Sequence, residues 1–132
     1  MAWHPFALFA VLLAYVLIDG TAQGGITARN RLYVPPVEQP AINTDLHRLL
    51  PLLFCLLLAT MAAGWGWKWP LIGGLLRLAL FDAALNRRKG DPLFATGRSA
   101  ALDQLLARAP ALNPLLRTGA LVAALALLFL LR

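Results

Sequence analysis

The chain has 132 residues, of which 60% are hydrophobic and only 14% charged, and it carries a net charge of +6. An average soluble domain is about a quarter charged, and so short a chain cannot hide this much apolar surface in a globule, so a soluble domain is excluded and an integral membrane protein is implied. A pI near 10.8 would suggest nucleic acid in a soluble protein, but here the basic residues flank apolar blocks, where orientation and anionic headgroups account for them.

The first block, AWHPFALFAVLLAYVLI, is interrupted at Asp19-Gly20. No lysine or arginine precedes it, which argues for an uncleaved anchor over about 3–23 rather than a signal peptide, although the small-residue run at Gly20–Ala22 would suit cleavage. Residues 24–48 read as a polar connection along the membrane surface, with Pro35, Pro36 and Pro40 favouring an extended path. A second span over 49–67 is about 19 residues, roughly 28 Å of helix at 1.5 Å per residue and enough for a bilayer core. The lone Cys55 lies inside it as a small hydrophobe, so no internal disulfide or cysteine-based metal site is available. Trp65, Trp67 and Trp69 with Lys68 suit an interfacial belt, and Gly64-x-Gly66 and Gly73-Gly74 suit close helix approach.

A third helix over about 70–86 starts at Pro70 and is short, so both a tilted span and a re-entrant hairpin are open to it. Gly90-Asp91-Pro92 signals a turn. Ser99 is a suitable N-cap for an amphipathic interfacial helix over about 99–109, with Leu102, Leu105, Leu106 and Ala109 on one face and Asp103, Gln104 and Arg108 elsewhere. Asn113-Pro114 opens a last span over 115–131.

The distribution of basic residues decides the number of crossings. With four, the connections after the first and third helices share a side and hold Arg29, Arg31, Arg48, Arg87, Arg88, Lys89, Arg98, Arg108 and Arg117, leaving Lys68 and Arg132 opposite and Arg77 inside. With three the split is more even, so the positive-inside rule favours four. The expected fold is therefore all-α: one domain over 1–132, a bundle of four transmembrane helices plus one interfacial helix, in the bacterial inner membrane with both termini outside.

Four polar residues fall within the apolar segments: Asp19, Arg77, Asp82 and Asn86. A charge at the bilayer centre costs on the order of 2.5–3.5 kcal/mol on insertion scales, so these groups need partners. On a regular helix Arg77 and Asp82 lie about 140° apart, whereas Asp82 and Asn86 share a face. Arg77 is thus expected to meet Asp19 or a backbone carbonyl of another helix, in an ion pair that fixes packing, with a proton or ion relay and a lipid or partner site as the other readings. Arg87, Arg88, Lys89, Arg98, Arg108 and Arg117 make up an interfacial basic face.

The segment RLALFDAALNRRKGDPLFATGRSAALD resembles uncharacterised small multi-pass membrane proteins of bacteria and their phages, through Arg77, Phe81-Asp82, Asn86, Gly90, Gly97, Ser99 and Asp103. The likeness covers about 27 residues, departs from the usual pattern at Arg98 and Leu102, and implies no activity. Asp19-Gly20 with Ala22 and Ala28-Arg29 does not complete the DG-x2-AR motif of membrane CDP-alcohol phosphotransferases, and no G-x3-D-x3-D follows.

His4 and His47 belong to opposite sides on this topology, so no histidine pair for a metal is expected. No GxGxxG, Walker A or GxSxG pattern is present, and no catalytic residue or cofactor is expected. Tyr33 and Phe94 are the only aromatics interleaved with the basic connections, too few for a nucleic-acid platform. The functional expectation is a non-enzymatic accessory or assembly protein whose cytoplasmic basic face contacts anionic lipid, a protein partner or a second copy. A holin-like or pore-forming protein is the alternative.

Overall fold

The computed structural model describes residues 4–33, 41–96 and 101–130. These residues form helices α1 (His4–Tyr33), α2 (Ala41–Trp65), α3 (Lys68–Leu76), α4 (Asp82–Lys89), α5 (Ala101–Arg108) and α6 (Leu112–Leu130), and a π-turn over Arg77–Phe81 joins α3 to α4 without a break. Among the described residues there is no strand. Among the described residues, three helices are long and apolar enough to cross a membrane: His4–Ala28, Arg48–Trp65 and Leu112–Leu130.

The surface is inverted relative to a soluble protein. Ile18, Leu52, Leu56, Leu115, Val122 and Leu130 face outward, while Asp19, Asn86, Asn113 and Arg117 are buried. In water such an exterior would aggregate; against lipid it costs nothing, and the polar groups are the ones that must be enclosed.

Two helix ends differ from expectation. α1 does not stop near residue 23 but runs to Tyr33, and α2 starts at Ala41, so most of the expected surface linker is helical. Gly24 sits within α1 because α4 passes so close there that a β-carbon would lie 2.5 Å from the Leu85 carbonyl oxygen. The missing side chain, usually a helix liability, is what lets the two backbones pack. Pro35, Pro36 and Pro40 lie outside the described residues. Between α2 and α3 the chain reverses within two residues, helped by Gly66 at φ 96°, a left-handed conformation that favours glycine.

The core gathers Leu12 and Val16 of α1, Phe54 and Met61 of α2, Trp69, Ile72 and Leu76 of α3, and Ala124 and Leu128 of α6. Trp69 therefore does not join an interfacial belt. It is 2% exposed, whereas Trp65 and Trp67 remain outside. Pro70 in the first turn of α3 and the reversal at Gly66 turn Trp69 inward, where a large apolar ring contributes more by packing than at the rim.

Contacts fix the helix directions. Gly73 meets Leu12 near one end of the bundle, and Leu85 and Arg88 meet Gly24 near the other, so α3 and α4 run parallel to α1. Gly73 against Leu58 and Arg77 beside Phe54 make α2 antiparallel to them, and Phe6 against Phe129 makes α6 antiparallel to α1.

Candidate functional site

The polar residues in the bundle do not form one cluster. They resolve into two ion pairs on either side of the π-turn and an anchor for the following loop. Asp19 is 1% exposed and both its oxygens are taken: Gln23 donates through Nε2 to Oδ1 at 2.6 Å, and Arg77 donates through Nη1 to Oδ2 at 2.5 Å. Gln23 is in place because it follows Asp19 by one helical turn. The Arg77 guanidinium also lies over two rings, 4.2 Å from the centroid of Phe81 and 5.0 Å from that of Phe54, and Tyr15 stacks on Phe54. Cation–π contact and an ion pair together replace the hydration that the guanidinium loses. The Tyr15 hydroxyl donates to the carbonyl of Leu50, the residue before Pro51 inside α2, tying α1 to the point where a proline removes a helix hydrogen bond.

Arg117 departs from expectation. It is not part of an exposed basic face but 3% exposed, with all three guanidinium nitrogens used. Nε donates to Asn113 Oδ1 at 2.6 Å, Nη1 to the Leu78 carbonyl at 3.0 Å, and Nη2 to Asp82 Oδ2 at 2.7 Å. The physical reason is the start of α6 at Leu112, a turn earlier than its apolar block suggests, which places Asn113 and Arg117 at i,i+4 on the face turned to the π-turn. Asp82 is the open end of this pair, with 41% of its side chain exposed.

A π-turn holds one residue more than the α-turn it replaces, so the 140° separation assumed for Arg77 and Asp82 does not apply across it. The two nevertheless do not pair: Arg77 turns to α1 and Asp82 to α6. The turn thus carries one charge of each sign at its ends, each neutralised by a different neighbouring helix. Leu78, inside it, offers the carbonyl that Arg117 uses.

Asn86 does not bond to Asp82. Its amide donates to the carbonyls of Leu93 and Ala95 at 3.2 and 2.8 Å, and the amide of Asn113 donates to Phe94 at 2.8 Å. Two buried side chains from different helices therefore pin the loop after α4, which begins at Gly90 with φ 79°. Among the described residues no buried side-chain nitrogen or oxygen lacks a partner.

Of the expected basic face, Arg87, Arg88 and Arg108 are exposed and have no acidic partner among the described residues, and Lys89 pairs with Asp91 at 3.0 Å. Arg98 and Ser99 lie outside the described residues. In α5, Leu106 is buried while Leu102 and Leu105 are exposed.

The glycines that pack closely are not the ones expected. Gly64, Gly66 and Gly74 face open space, and only Gly73 of that set is packed, against Leu58. The close approach is at Gly20 and Gly24, where a β-carbon would sit 2.6 Å from the Phe81 carbonyl oxygen and 2.5 Å from that of Leu85. The signal was the G-x3-G spacing itself, which in an apolar helix marks a surface for another backbone.

No family model, no curated protein and no solved structure matches the chain. Among the described residues no three histidine, cysteine or acidic side chains are grouped closely enough to hold a metal ion. What the arrangement does chemically is neutralise charge within an apolar bundle and hold α1, the π-turn and α6 in one register.

Proposed function

We propose that the protein is a non-enzymatic accessory or assembly protein of the bacterial inner membrane. In this reading it is a bundle of four crossings, with both termini outside and a basic cytoplasmic face that contacts anionic lipid or a partner protein. The observation that carries it is the division of the charges: Asp19, Arg77, Asp82 and Arg117 satisfy one another between helices, while Arg87, Arg88 and Arg108 are left exposed around the loop between α4 and α6. Charges that only held the fold together would be expected in pairs, and an unpaired basic group at a helix end suits a headgroup layer or an acidic partner.

The fourth crossing draws support from the run 68–89. It is roughly 30 Å long at 1.5 Å per residue, matching a bilayer core. It lies alongside α1 in parallel from Leu12 to Gly24, and a re-entrant hairpin would have turned back within that length.

Affinity capture of the full chain from native membranes at its normal expression level should return a reproducible protein partner or bound anionic lipid. Recovery of neither would contradict the proposal. The pore-forming alternative would draw on Gly74 and Gly119, which open onto empty space and would let copies of the chain approach closely. It requires timed collapse of the membrane potential on induction, whereas the accessory role leaves the potential intact.

A further inference from the structure

Beside the packed seam between α1 and α4 runs a side-opening groove of about 530 Å³. It is lined by Leu17 and Thr21 of α1, Leu80 of the π-turn, Ala83 of α4, and Arg87 and Arg88 a helical turn further along α4. The volume is in the range of small-ligand sites, and the lining is apolar except for Thr21 and the two arginines.

We infer that this groove is a specific site for one anionic phospholipid, its phosphate on Arg87 and Arg88 and the start of an acyl chain along Leu17, Leu80 and Ala83. The inference rests on the cytoplasmic basic face proposed above and gives it a location. Three observations select the occupant. Lys89, next in sequence, is neutralised by Asp91, but neither Arg87 nor Arg88 has an acidic partner among the described residues, so the rim holds two uncompensated positive charges. Arg88 is braced as well as exposed: its Nε lies within van der Waals range of a β-carbon built on Gly25, so its stem rests along α1 and its head is confined near the rim. Finally, the groove continues from that rim along two aliphatic side chains and an alanine, which a free phosphate or an acidic peptide would leave unfilled.

Basic residues in the last turn of a helix also complement its macrodipole. That effect accounts for their place in the sequence, but it requires no apolar groove leading away from them. A phospholipid uses both the charge and the groove. Guanidinium groups suit a phosphate because they can donate two parallel hydrogen bonds to it.

The test uses the full chain in bilayer nanodiscs containing equal phosphatidylglycerol and phosphatidylcholine, with the lipids that stay bound on release counted by native mass spectrometry. The wild type should retain phosphatidylglycerol in preference to phosphatidylcholine. The double variant Arg87→Gln/Arg88→Gln removes only exposed charges and should reduce that preference about tenfold or more, as expected for two basic groups near an anionic headgroup. Arg108→Gln, an exposed arginine that does not line the groove, should leave it unchanged. Ala83→Leu narrows the groove and should lower retention of either lipid without altering the arginines.

Undiminished phosphatidylglycerol in the double variant would overturn the groove while leaving the wider basic face standing. The same result in Ala83→Leu would show the walls to be idle and would equally overturn it. Displacement of the lipid by millimolar inorganic phosphate would assign the arginines to a free anion instead. A wild type with no preference between the two lipids would remove the groove and the lipid arm of the proposed function together.

Discussion

Replacing Asp19 by alanine should destabilise the bundle by about 3–5 kcal/mol, the range for removing one partner of a buried ion pair. The carboxylate is enclosed and receives both Gln23 and Arg77, so its loss leaves the guanidinium beside Phe54 and Phe81 with its charge unbalanced. Replacing both members, Asp19→Leu with Arg77→Met, should recover most of the loss, because the pair gains little net stability over apolar side chains that fill the same space. Thermal unfolding in detergent of the two single variants and the double variant measures this directly. Recovery in the double variant means that the pair serves assembly. A well-folded Asp19→Asn protein that lost a transport activity would instead point to a relay.

Gly20→Val should have the second large effect, at least the 1–3 kcal/mol typical of overpacking. A β-carbon there meets the Phe81 backbone oxygen at 2.6 Å and the Ala84 β-carbon at 3.0 Å, and a backbone atom cannot rotate aside as a flexible side chain can. Since Phe81 is the last residue of the π-turn, pushing the helices apart there also strains the Asp19–Arg77 pair, which bridges from α1 to the same turn. Gly74→Val serves as the control. Nothing lies within 4 Å of a β-carbon at Gly74, so it should fold as the wild type does in the same unfolding assay. Equal losses in the two variants would mean that the cost does not arise from the close seam between α1 and α4.

These expectations separate what could be read from the residues from what could not. The apolar blocks mark α2 and α6 because a bilayer demands long runs without charge, and that demand is written in composition alone. The end of α1 was not legible: Asp19, Gly20 and Gly24-Gly25 look like a helix end when only local propensity is weighed, and they make sense within the helix only once α4 is known to lie against them. Arg77 could be steered away from Asp82 by helical geometry, which left Asp19 as a partner. Arg117 misled because it sits at the edge of a basic stretch, but Asn113 four residues earlier was a sign that this face of α6 is polar and turned inward. Nothing local announces the π-turn. RLALF is an ordinary helical sequence, and the wider turn becomes apparent only where it meets Arg117 and Gly20.

Whether the chain crosses between Lys68 and Lys89 decides which side of the membrane the basic face occupies. Single cysteines at Trp67 and at Ala107, each in a Cys55→Ala background, place one exposed thiol on either side of that run. Trp67→Cys should be labelled by a membrane-impermeant thiol reagent on intact cells, and Ala107→Cys only after the inner face is opened. Labelling of both from the same side would mean that 68–89 does not cross, and labelling of Ala107→Cys alone from outside would put the basic face on the wrong side of the membrane.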